Sequence, residues 1–358
     1  MQNINKTALV IGASGFVGKF LISKLLQENF RVFALFRNVE IQGMELRNWL
    51  KLQKVEDKQL TCVQGDITLT DLGLSQQDWF NLSYVDFLFN TSALFSWNLS
   101  MEDARIVNVK GLKNILKAVN EHCHLKRAIH LSGYMLTLQE HLQESGVNLT
   151  DIEQTNWNGV YKNLGAYEAS KIEGHFTWIK HAELYEIAWT VIHPATVIGD
   201  ESSGEIPRNQ PVYQLIQQIS QGKMLLIPAT PRHSLPLVSV NMLISAMINA
   251  TQDSELINQE ILIANPKQIP FQHMVQIIAD QVKVKSPKYF ISLPLLQFIL
   301  RWEWLAKKME MSFESLNFLR EEKLNIEPFL ARNQKWKIVE TDLKNALEHA
   351  TVWVENHL

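Results

Sequence analysis

The 358-residue sequence has few cysteines, no long apolar run and no excess of one charge. Two cysteines, Cys62 and Cys123, cannot form the disulfide framework that stabilises small secreted domains. The first residues enter an apolar strand pattern directly and lack the basic, apolar and small-residue regions of a secretion signal. The expected location is therefore the cytoplasm.

Charge and hydropathy argue against a nucleic-acid-binding protein and against a membrane-spanning protein. The formal net charge of −3 provides no field that would attract nucleic acid. The longest apolar stretch, residues 290–300, is interrupted by Pro294 and Gln297 and is shorter than the roughly 18 residues of a membrane span. We expect no nucleic-acid partner and no transmembrane segment, while a membrane-surface helix at 295–308 stays an option.

A glycine turn near the beginning of the chain carries the first positive signal. Residues 7–11 are apolar and predict a buried strand, and the next residues predict a turn that opens a helix. Glycines at such a turn let the backbone approach a pyrophosphate at the helix N-terminus. The expected cofactor contacts there are Gly12, Ser14, Gly15, Phe16, Val17 and Gly18.

Strand and helix patterns then alternate along the first part of the chain. Further strands are predicted at 31–36, 59–63, 84–89, 127–131 and 188–192. This alternation indicates an α/β fold with a doubly wound parallel sheet of Rossmann type. Turn-forming residues at 139–159 predict a loop over the site.

The predicted dinucleotide-binding domain comprises residues 1–200 and is completed discontinuously by about 234–265. A smaller, mostly helical substrate-binding region then comprises 201–233 and 266–358. Aromatic side chains in this region suit either a lid over a lipophilic substrate or the core of a helical subdomain. They are Tyr289, Phe290, Phe298, Trp302, Trp304, Phe313, Phe318 and Phe329.

The residue after the second predicted strand indicates the cofactor. Arg37 stands where NAD-binding chains carry an acid, and its guanidinium suits a 2′-phosphate, so NADP is favoured over NAD. The alternative is an ordinary surface arginine. Asp66, followed by Ile67, is placed to bind the adenine amino group or to cap a turn. Small residues at Ser92 and Ala93 allow the backbone to pass close to the cofactor.

Tyr167 and Lys171 are four residues apart on a predicted helix and share one face. An ammonium beside a phenol lowers its pKa, which makes the pair a proton relay to a carbonyl or carbinol oxygen. Ser132 ends the predicted strand 127–131, at the edge of the sheet where ligands bind. His122 and His124 do not share a helix face, so no metal site is expected.

Five motifs resemble those of the extended short-chain dehydrogenase/reductases, in that family's order over about the first 200 residues. They are GASGFVG at 12–18, GDIT at 65–68, NVKGLKN at 108–114, YEASK at 167–171 and HPATVIG at 193–199.

The resemblance implies a role for each matching residue. Tyr167 is then the general acid-base group, Lys171 holds the nicotinamide ribose, and Asn108 supports a proton-relay water. His193, Pro194 and Val197 lie at the cofactor, with Pro194 and Val197 beside the nicotinamide. The family's usual pairing through helices implies a homodimer.

Two departures from the family pattern bear on function. Gly133 stands where the family usually has a substrate-binding Ser or Thr, so Ser132, Tyr134 or a water must serve instead. His193 replaces an arginine, which argues against diphosphate sugars.

The expected function is an NADP-dependent oxidoreductase for a carbonyl or secondary alcohol of a lipophilic or aromatic small molecule. The alternatives are an NAD-dependent nucleotide-sugar epimerase or dehydratase and a non-catalytic NADP sensor.

Overall fold

A computed structural model describes residues 6–94, 99–300, 302, 316 and 318–358. Among these residues, no helix is both long enough and apolar enough to cross a bilayer. The chain forms two compact units, the first up to His193 together with 244–261, and the second comprising 194–243 and 262–358. These bounds differ from the predicted domains, which placed the first boundary near residue 200 and gave 234–265 to the cofactor domain.

Seven strands form the main sheet. They are β1 (Thr7–Ile11), β2 (Arg31–Phe36), β3 (Leu60–Gln64), β4 (Phe87–Asn90), β5 (Arg127–Leu131), β6 (Trp189–Pro194) and β10 (Gln259–Ile263). Their order is β10-β6-β5-β4-β1-β2-β3, and the pairs from β6 to β3 run parallel. The order reverses between β1 and β4, where open α/β sheets bind ligands. The predicted Rossmann-type fold is confirmed.

Eight helices of the first unit lie among these strands. They are α1 (Phe16–Gln27), α2 (Met44–Leu52), α3 (Gln76–Leu82), α4 (Met101–Arg105), α5 (Gly111–His122), α6 (Gln139–Glu144), α7 (Trp157–Leu164) and α8 (Ala166–Leu184). Leu9 of β1, Ile115 of α5 and Trp178 of α8 belong to one fully buried apolar cluster. The residues of β1 from Ala8 to Ile11 are all buried, as expected for a central parallel strand.

The predicted loop at 139–159 is confirmed only for residues 145–156, which lie between two short helices. The rest of the segment forms α6 and the beginning of α7, because Leu142, Val160 and Leu164 pack with Ile172 of α8 in an apolar cluster of their own. The turn formers that suggested a loop cap and separate these short helices. Asn156, for example, accepts a hydrogen bond from the backbone N–H of Gly159.

The predicted single helix at 101–120 is interrupted. A turn of π-helix, Ile106–Lys110, joins α4 to α5 and contains the buried Asn108. Such turns hold one residue more than an α-helical turn and are frequent at functional sites. The pattern of apolar residues did not show this insertion because the stripes on either side of it are each regular.

The second unit contains short strands and helices. They are β7 (Thr196–Val197), α9 (Pro211–Ser220), β8 (Ile227–Pro228), β9 (Leu237–Val238), α10 (Val240–Ala250, which continues into the first unit), α11 (Phe271–Gln281), β11 (Phe290–Ile291), α12 (Leu293–Leu300), α13 (Glu327–Trp336) and α14 (Leu343–Glu355). Ile216, Ile278 and Leu347, from α9, α11 and α14, lie in its core. β9 pairs with β7 in a separate sheet, so residues 234–241, which were predicted to help complete the cofactor domain, do not join the main sheet.

The aromatic residues of the second unit do not form a single lid or core. Phe329 is buried and contacts Trp336, and Phe290 and Phe318 are half-buried against the unit's core. Tyr289, Phe298 and Trp302 are exposed. Trp304 and Phe313 lie outside the described residues.

Two glycines of the second unit provide a matched stability test. Both have positive φ, +73° at Gly204 and +65° at Gly222, but only Gly204 is crowded: a Cβ there would lie 2.1 Å from the carbonyl oxygen of His349. Nothing lies within 4 Å of the corresponding point at Gly222. We expect Gly222→Ala to cost about 1 kcal/mol of unfolding free energy from its backbone conformation alone. Gly204→Ala should cost about 3 kcal/mol or more.

Urea denaturation of the two variants measures both losses. Equal losses at Gly204 and Gly222 would show that the close contact with His349 is not rigid.

Candidate active site

The turn between β1 and α1 is packed too closely for side chains. A Cβ at Gly12, whose φ is +86°, would lie 2.6 Å from the backbone nitrogen of Ser92, just after β4. A Cβ at Gly18 would lie 2.1 Å from the carbonyl oxygen of Gly12. Glycine at both positions therefore lets α1 and the end of β4 close around the turn.

The N-terminus of α1 is open toward solvent. Gly15 is its N-cap and provides no side-chain cap, and the first turn, which begins with Phe16 and Val17, contains no acidic residue. Ser14 and Gly15 are exposed. Uncapped N–H groups at the positive end of a helix suit an anion, so this cradle fits the pyrophosphate of a dinucleotide.

The residues expected at the adenosine follow strands β2 and β3. Arg37 is exposed just after β2 and makes no hydrogen bond or ion pair within the described part of the chain. Asp66 Oδ1 accepts hydrogen bonds from Thr68 N and Oγ1, both at 2.8 Å, so its turn-capping role is observed. Its contact with adenine stays a prediction.

The segments that contain Ile67 and Ser92 are held by hydrogen bonds to the side-chain amides of two asparagines. The carbonyl oxygen of Ile67 accepts from Asn114 Nδ2 at 2.8 Å, and Ser92 Oγ donates to Asn90 Oδ1 at 2.6 Å. Ala93 is exposed. The roles of Ile67, Ser92 and Ala93 in cofactor binding stay predictions.

Lys171 is buried on α8, and its Nζ donates to the carbonyl oxygen of Leu131, the last residue of β5, at 3.1 Å. Burial lowers the pKa of the ammonium from 10.5 to about 8. The side chain is therefore fixed at the carboxyl end of β5, the edge at which the fold binds ligands.

The expected lowering of the Tyr167 pKa by Lys171 is wrong. Burial raises the pKa of the Tyr167 phenol, and the charge of the neighbouring Glu168 raises it further. Glu168 is buried and lies 2.6 Å from His141 Nε2. The surroundings thus hold Tyr167 as a neutral phenol, which is a proton donor.

Ser132 follows directly after β5. It is buried, and its Oγ has no hydrogen-bond partner among the described residues. A buried hydroxyl without a partner is uncommon and suits a group that waits for a ligand oxygen. A Cβ at Gly133 would lie 2.5 Å from the sulfur of Met135, so that flexible side chain would have to shift to admit a larger residue there.

The side chain of Asn108 is committed to the protein backbone and to α8. Its Oδ1 accepts from Leu94 N at 2.8 Å, and its Nδ2 donates to Leu94 O at 3.2 Å and to Ser170 Oγ at 2.9 Å. Ser170 Oγ in turn donates to the carbonyl oxygen of Tyr167 at 2.9 Å. This amide therefore positions the first turn of α8, and its support of a relay water stays a prediction.

His193 is enclosed rather than open to a cofactor. Its Nδ1 donates to the carbonyl oxygen of Gly133 at 3.0 Å, and its Nε2 lies 2.6 Å from Glu260 Oε2. Burial raises the pKa of Glu260, but the hydrogen bond from His193 and the nearby imidazoles lower it overall, so the carboxylate is ionised. Both ring nitrogens of His193 are therefore engaged, one with a carbonyl oxygen and the other with a carboxylate. The expected cofactor contact has no free ring nitrogen to make it.

Pro194 and Val197 begin the second unit, where Val197 is buried in β7. Their place beside the nicotinamide stays a prediction.

The imidazoles of His130 and His175, whose pKa values are affected by the charge of Lys171, were not predicted from the sequence. Burial lowers the pKa of His175 to about 3 and also that of His130, and the charge of Lys171 contributes to both shifts. His175 follows Lys171 by one helical turn and lies 3.4 Å from Glu260. The helical spacing of His175 was readable from the sequence, whereas the approach of Glu260 depends on where β10 joins the sheet.

The histidines at 122 and 124 flank the buried Cys123. His122 stacks on Trp79 with ring centroids 4.5 Å apart, and Cys123 Sγ lies 3.4 Å from the carbonyl oxygen of Leu82. Both side chains are thus used in packing against α3 and its C-terminal end.

A sequence profile of the family described as "Male sterility protein" matches residues 10–247 of the 358. The chain belongs to this family. It is similar to "Probable polyketide synthase 6" of Dictyostelium discoideum, with 24% identity over 216 residues, which cover 57% of this chain and 7% of that one. It is also similar to "Fatty acyl-CoA reductase 1" of Xenopus laevis, with 29% identity over 142 residues, 36% of this chain and 28% of that one. The chain thus spans less than a third of either relative.

The fold is shared with the terminal R domain from the myxalamid PKS-NRPS biosynthetic pathway, at a TM-score of 0.76 and 18% identity. The superposition covers 100% of this chain and 92% of that one. The predicted membership of the extended short-chain dehydrogenase/reductases, a class of NAD(P)-dependent oxidoreductases, is confirmed.

The buried Lys171 makes stability depend on pH in a defined direction. Its folded-state pKa of about 8 lies below its ordinary value of 10.5, so the unfolded chain binds more protons between these limits. The wild-type free energy of unfolding should therefore gain up to about 3 kcal/mol from this group as pH rises through that window. We expect Lys171→Met to abolish this gain without lowering stability at neutral pH.

Urea denaturation at several pH values measures the effect. Lys180→Met, which removes an exposed lysine of the same helix, is the matched control and should keep the gain. If Lys171→Met and Lys180→Met have the same pH dependence, the Lys171 ammonium is not desolvated as described.

Proposed function

We propose that the protein is an NADP-dependent reductase that transfers hydride to the carbonyl group of a lipophilic substrate, with Tyr167 as the general acid. The observation that carries the proposal is the buried Ser132 hydroxyl, which has no hydrogen-bond partner among the described residues. It directly follows Leu131, whose carbonyl oxygen accepts a hydrogen bond from the Lys171 ammonium. The names of the relatives, a fatty acyl-CoA reductase and polyketide synthases, support an acyl thioester or a related ketone or aldehyde as substrate.

The chain's own residues would hold both the cofactor and the carbonyl. The open N-terminus of α1 binds the pyrophosphate, and Arg37 pairs with the 2′-phosphate of NADP. When bound, the cofactor supplies the hydride. Ser132 Oγ donates a hydrogen bond to the carbonyl oxygen, which gathers negative charge as the carbon is reduced.

Tyr167 then gives its phenolic proton to that oxygen, so the carbonyl carbon gains a hydride and the oxygen a proton. A general acid must be protonated at the working pH. The raised pKa of Tyr167 meets this condition near neutral pH. Lys171, hydrogen-bonded to the carbonyl oxygen of Leu131, holds the end of β5 and so positions Ser132 for the substrate oxygen.

An apolar cavity in the second unit supports a lipophilic substrate. It is partly open to solvent, has a volume of about 60 Å³, and is lined by Leu215, Met224, Leu235, Phe271, Leu316 and Leu319 together with Gln214 and Gln218. Apolar walls with few polar groups are typical of pockets for hydrocarbon chains or rings. A nucleotide sugar would need a polar lining instead, and Arg37 also argues against the NAD-dependent epimerase.

The choice between a reductase and a non-catalytic NADP sensor depends on turnover. The cytoplasmic location and the homodimer stay predictions.

The catalytic assignment is tested by NADPH oxidation with long-chain acyl-CoA, long-chain aldehydes and aromatic ketones. We expect Tyr167→Phe to lower kcat/KM by about a thousandfold, because the developing oxyanion loses its general acid. Ser132→Ala should lower it by about a hundredfold without loss of stability, since its Oγ has no partner to lose.

Tyr185→Phe, on the C-terminal end of α8, is the control for a tyrosine outside the site. Full activity of Tyr167→Phe would show that Tyr167 is not the general acid. If the protein binds NADPH but oxidises it with none of these substrates, the non-catalytic NADP sensor is favoured.

Cofactor preference is tested with Arg37→Ser. Loss of a charge-assisted contact with the 2′-phosphate should raise the Kd for NADPH about tenfold to a hundredfold and leave that for NADH unchanged. Arg31→Ser, at the other end of β2, is the matched control. Titration of the nicotinamide fluorescence measures both constants. Equal effects of Arg37→Ser on NADPH and NADH would contradict the assignment.

A further inference from the structure

One region of the second unit exposes large apolar side chains together. We call it the apolar patch and define it by Leu225, Leu226, Tyr289, Leu295, Phe298 and Trp302, each between 41% and 79% exposed. Single exposed apolar residues are ordinary, but a group of this size marks an interaction surface.

The pairing of β8 with β11 brings two parts of the apolar patch together. These strands are parallel with Ile227 opposite Phe290, so Leu226 and Tyr289 stand next to each other at the strand entries. The backbone N–H of Ile227 donates to the carbonyl oxygen of Tyr289 at 2.8 Å. The helix α12 follows β11 after one residue and carries Leu295 and Phe298, and Trp302 lies two residues beyond its end.

Helix α12 and the residues after it are apolar on two sides. Leu296 and Leu300 are buried in the core of the second unit. Leu295, Phe298 and Trp302 have i, i+3, i+7 spacing and are about half exposed. The rings of Phe298 and Trp302 are in contact, with centroids 5.5 Å apart. A helix that is apolar all round is normally buried, so the outer side of α12 requires a second apolar environment.

The two sequence segments that carry the apolar patch are locally basic, although Asp280 and Glu303 stand directly beside the second one. Residues 281–302 contain Lys283, Lys285, Lys288 and Arg301 and no Asp or Glu, and residues 206–252 likewise contain only basic charges. The whole chain has a net charge of −3, so the basic character is local. A partner that combines apolar material with negative charge is complementary to both properties.

From this combination we infer that the apolar patch and its lysines dock the protein on the surface of an anionic lipid membrane. Aromatic and aliphatic side chains enter the boundary between headgroups and acyl chains, while lysines beside them bind lipid phosphates. A second copy of this chain fits less well, because it would place basic segments opposite each other. This inference does not depend on the proposed reductase activity.

Flotation of the full chain with vesicles tests the inference directly. We expect the wild type to float with vesicles of phosphatidylcholine and phosphatidylglycerol in equal parts, and only weakly with pure phosphatidylcholine. The variant L295S/F298S/W302S should bind at least about tenfold more weakly, because it loses the inserted apolar groups. K283E/K285E/K288E should bind about a hundredfold more weakly, and high salt should weaken wild-type binding in the same way.

The matched control is L52S/Y84S/L184S, which removes three similarly exposed apolar side chains of the first unit and should float like the wild type. Circular dichroism and thermal unfolding of each variant check that the fold is intact. The inference is overturned if the wild type does not float with anionic vesicles, or if L295S/F298S/W302S floats as well as the control. It is also overturned if that variant instead converts a wild-type dimer to a monomer in sedimentation, which would make the patch a self-association face.

Discussion

The burial of the Lys171 ammonium at the carboxyl end of β5 is the constraint on which the candidate site depends. An ammonium is expensive to remove from water, and here it gains the carbonyl oxygen of Leu131 in return. The strand end is therefore fixed beside it, and with it the unpartnered hydroxyl of Ser132. His193 fixes the same segment from the next strand through Gly133. The site is thus organised mainly by its backbone, with side chains that hold backbone carbonyls in place.

Much of the first unit was predictable because its signals are local. The alternation of strands and helices gave the sheet, and the spacing of Tyr167 and Lys171 gave their shared helix face. The pKa of Tyr167 was predicted in the wrong direction, because spacing shows which groups are neighbours but not how deeply a phenol is buried. The hydrogen bonds of His193 were equally out of reach, since Glu260 comes from a strand that joins the sheet after a long excursion of the chain.

The second unit was predicted less well for a related reason. Its strands are only two residues long, and paired strands of that length leave no alternating pattern in a sequence. Aromatic residues that looked alike in the sequence have different surroundings: Phe329 is in the interior, whereas Phe298 is at the surface. Composition identifies a lipophilic region, but the direction of each side chain follows from the tertiary structure.

The π-helical turn at Ile106–Lys110 has a consequence for how this chain can vary. An α-helix advances by about 100° per residue, so removal of one residue here would convert the turn to α-helix and rotate everything before it by that angle. The amide of Asn108 would then leave both Leu94 and Ser170. Exposed side chains of α4 and α5 can be exchanged with little effect, but a change in the length of this segment would move the first turn of α8 out of register.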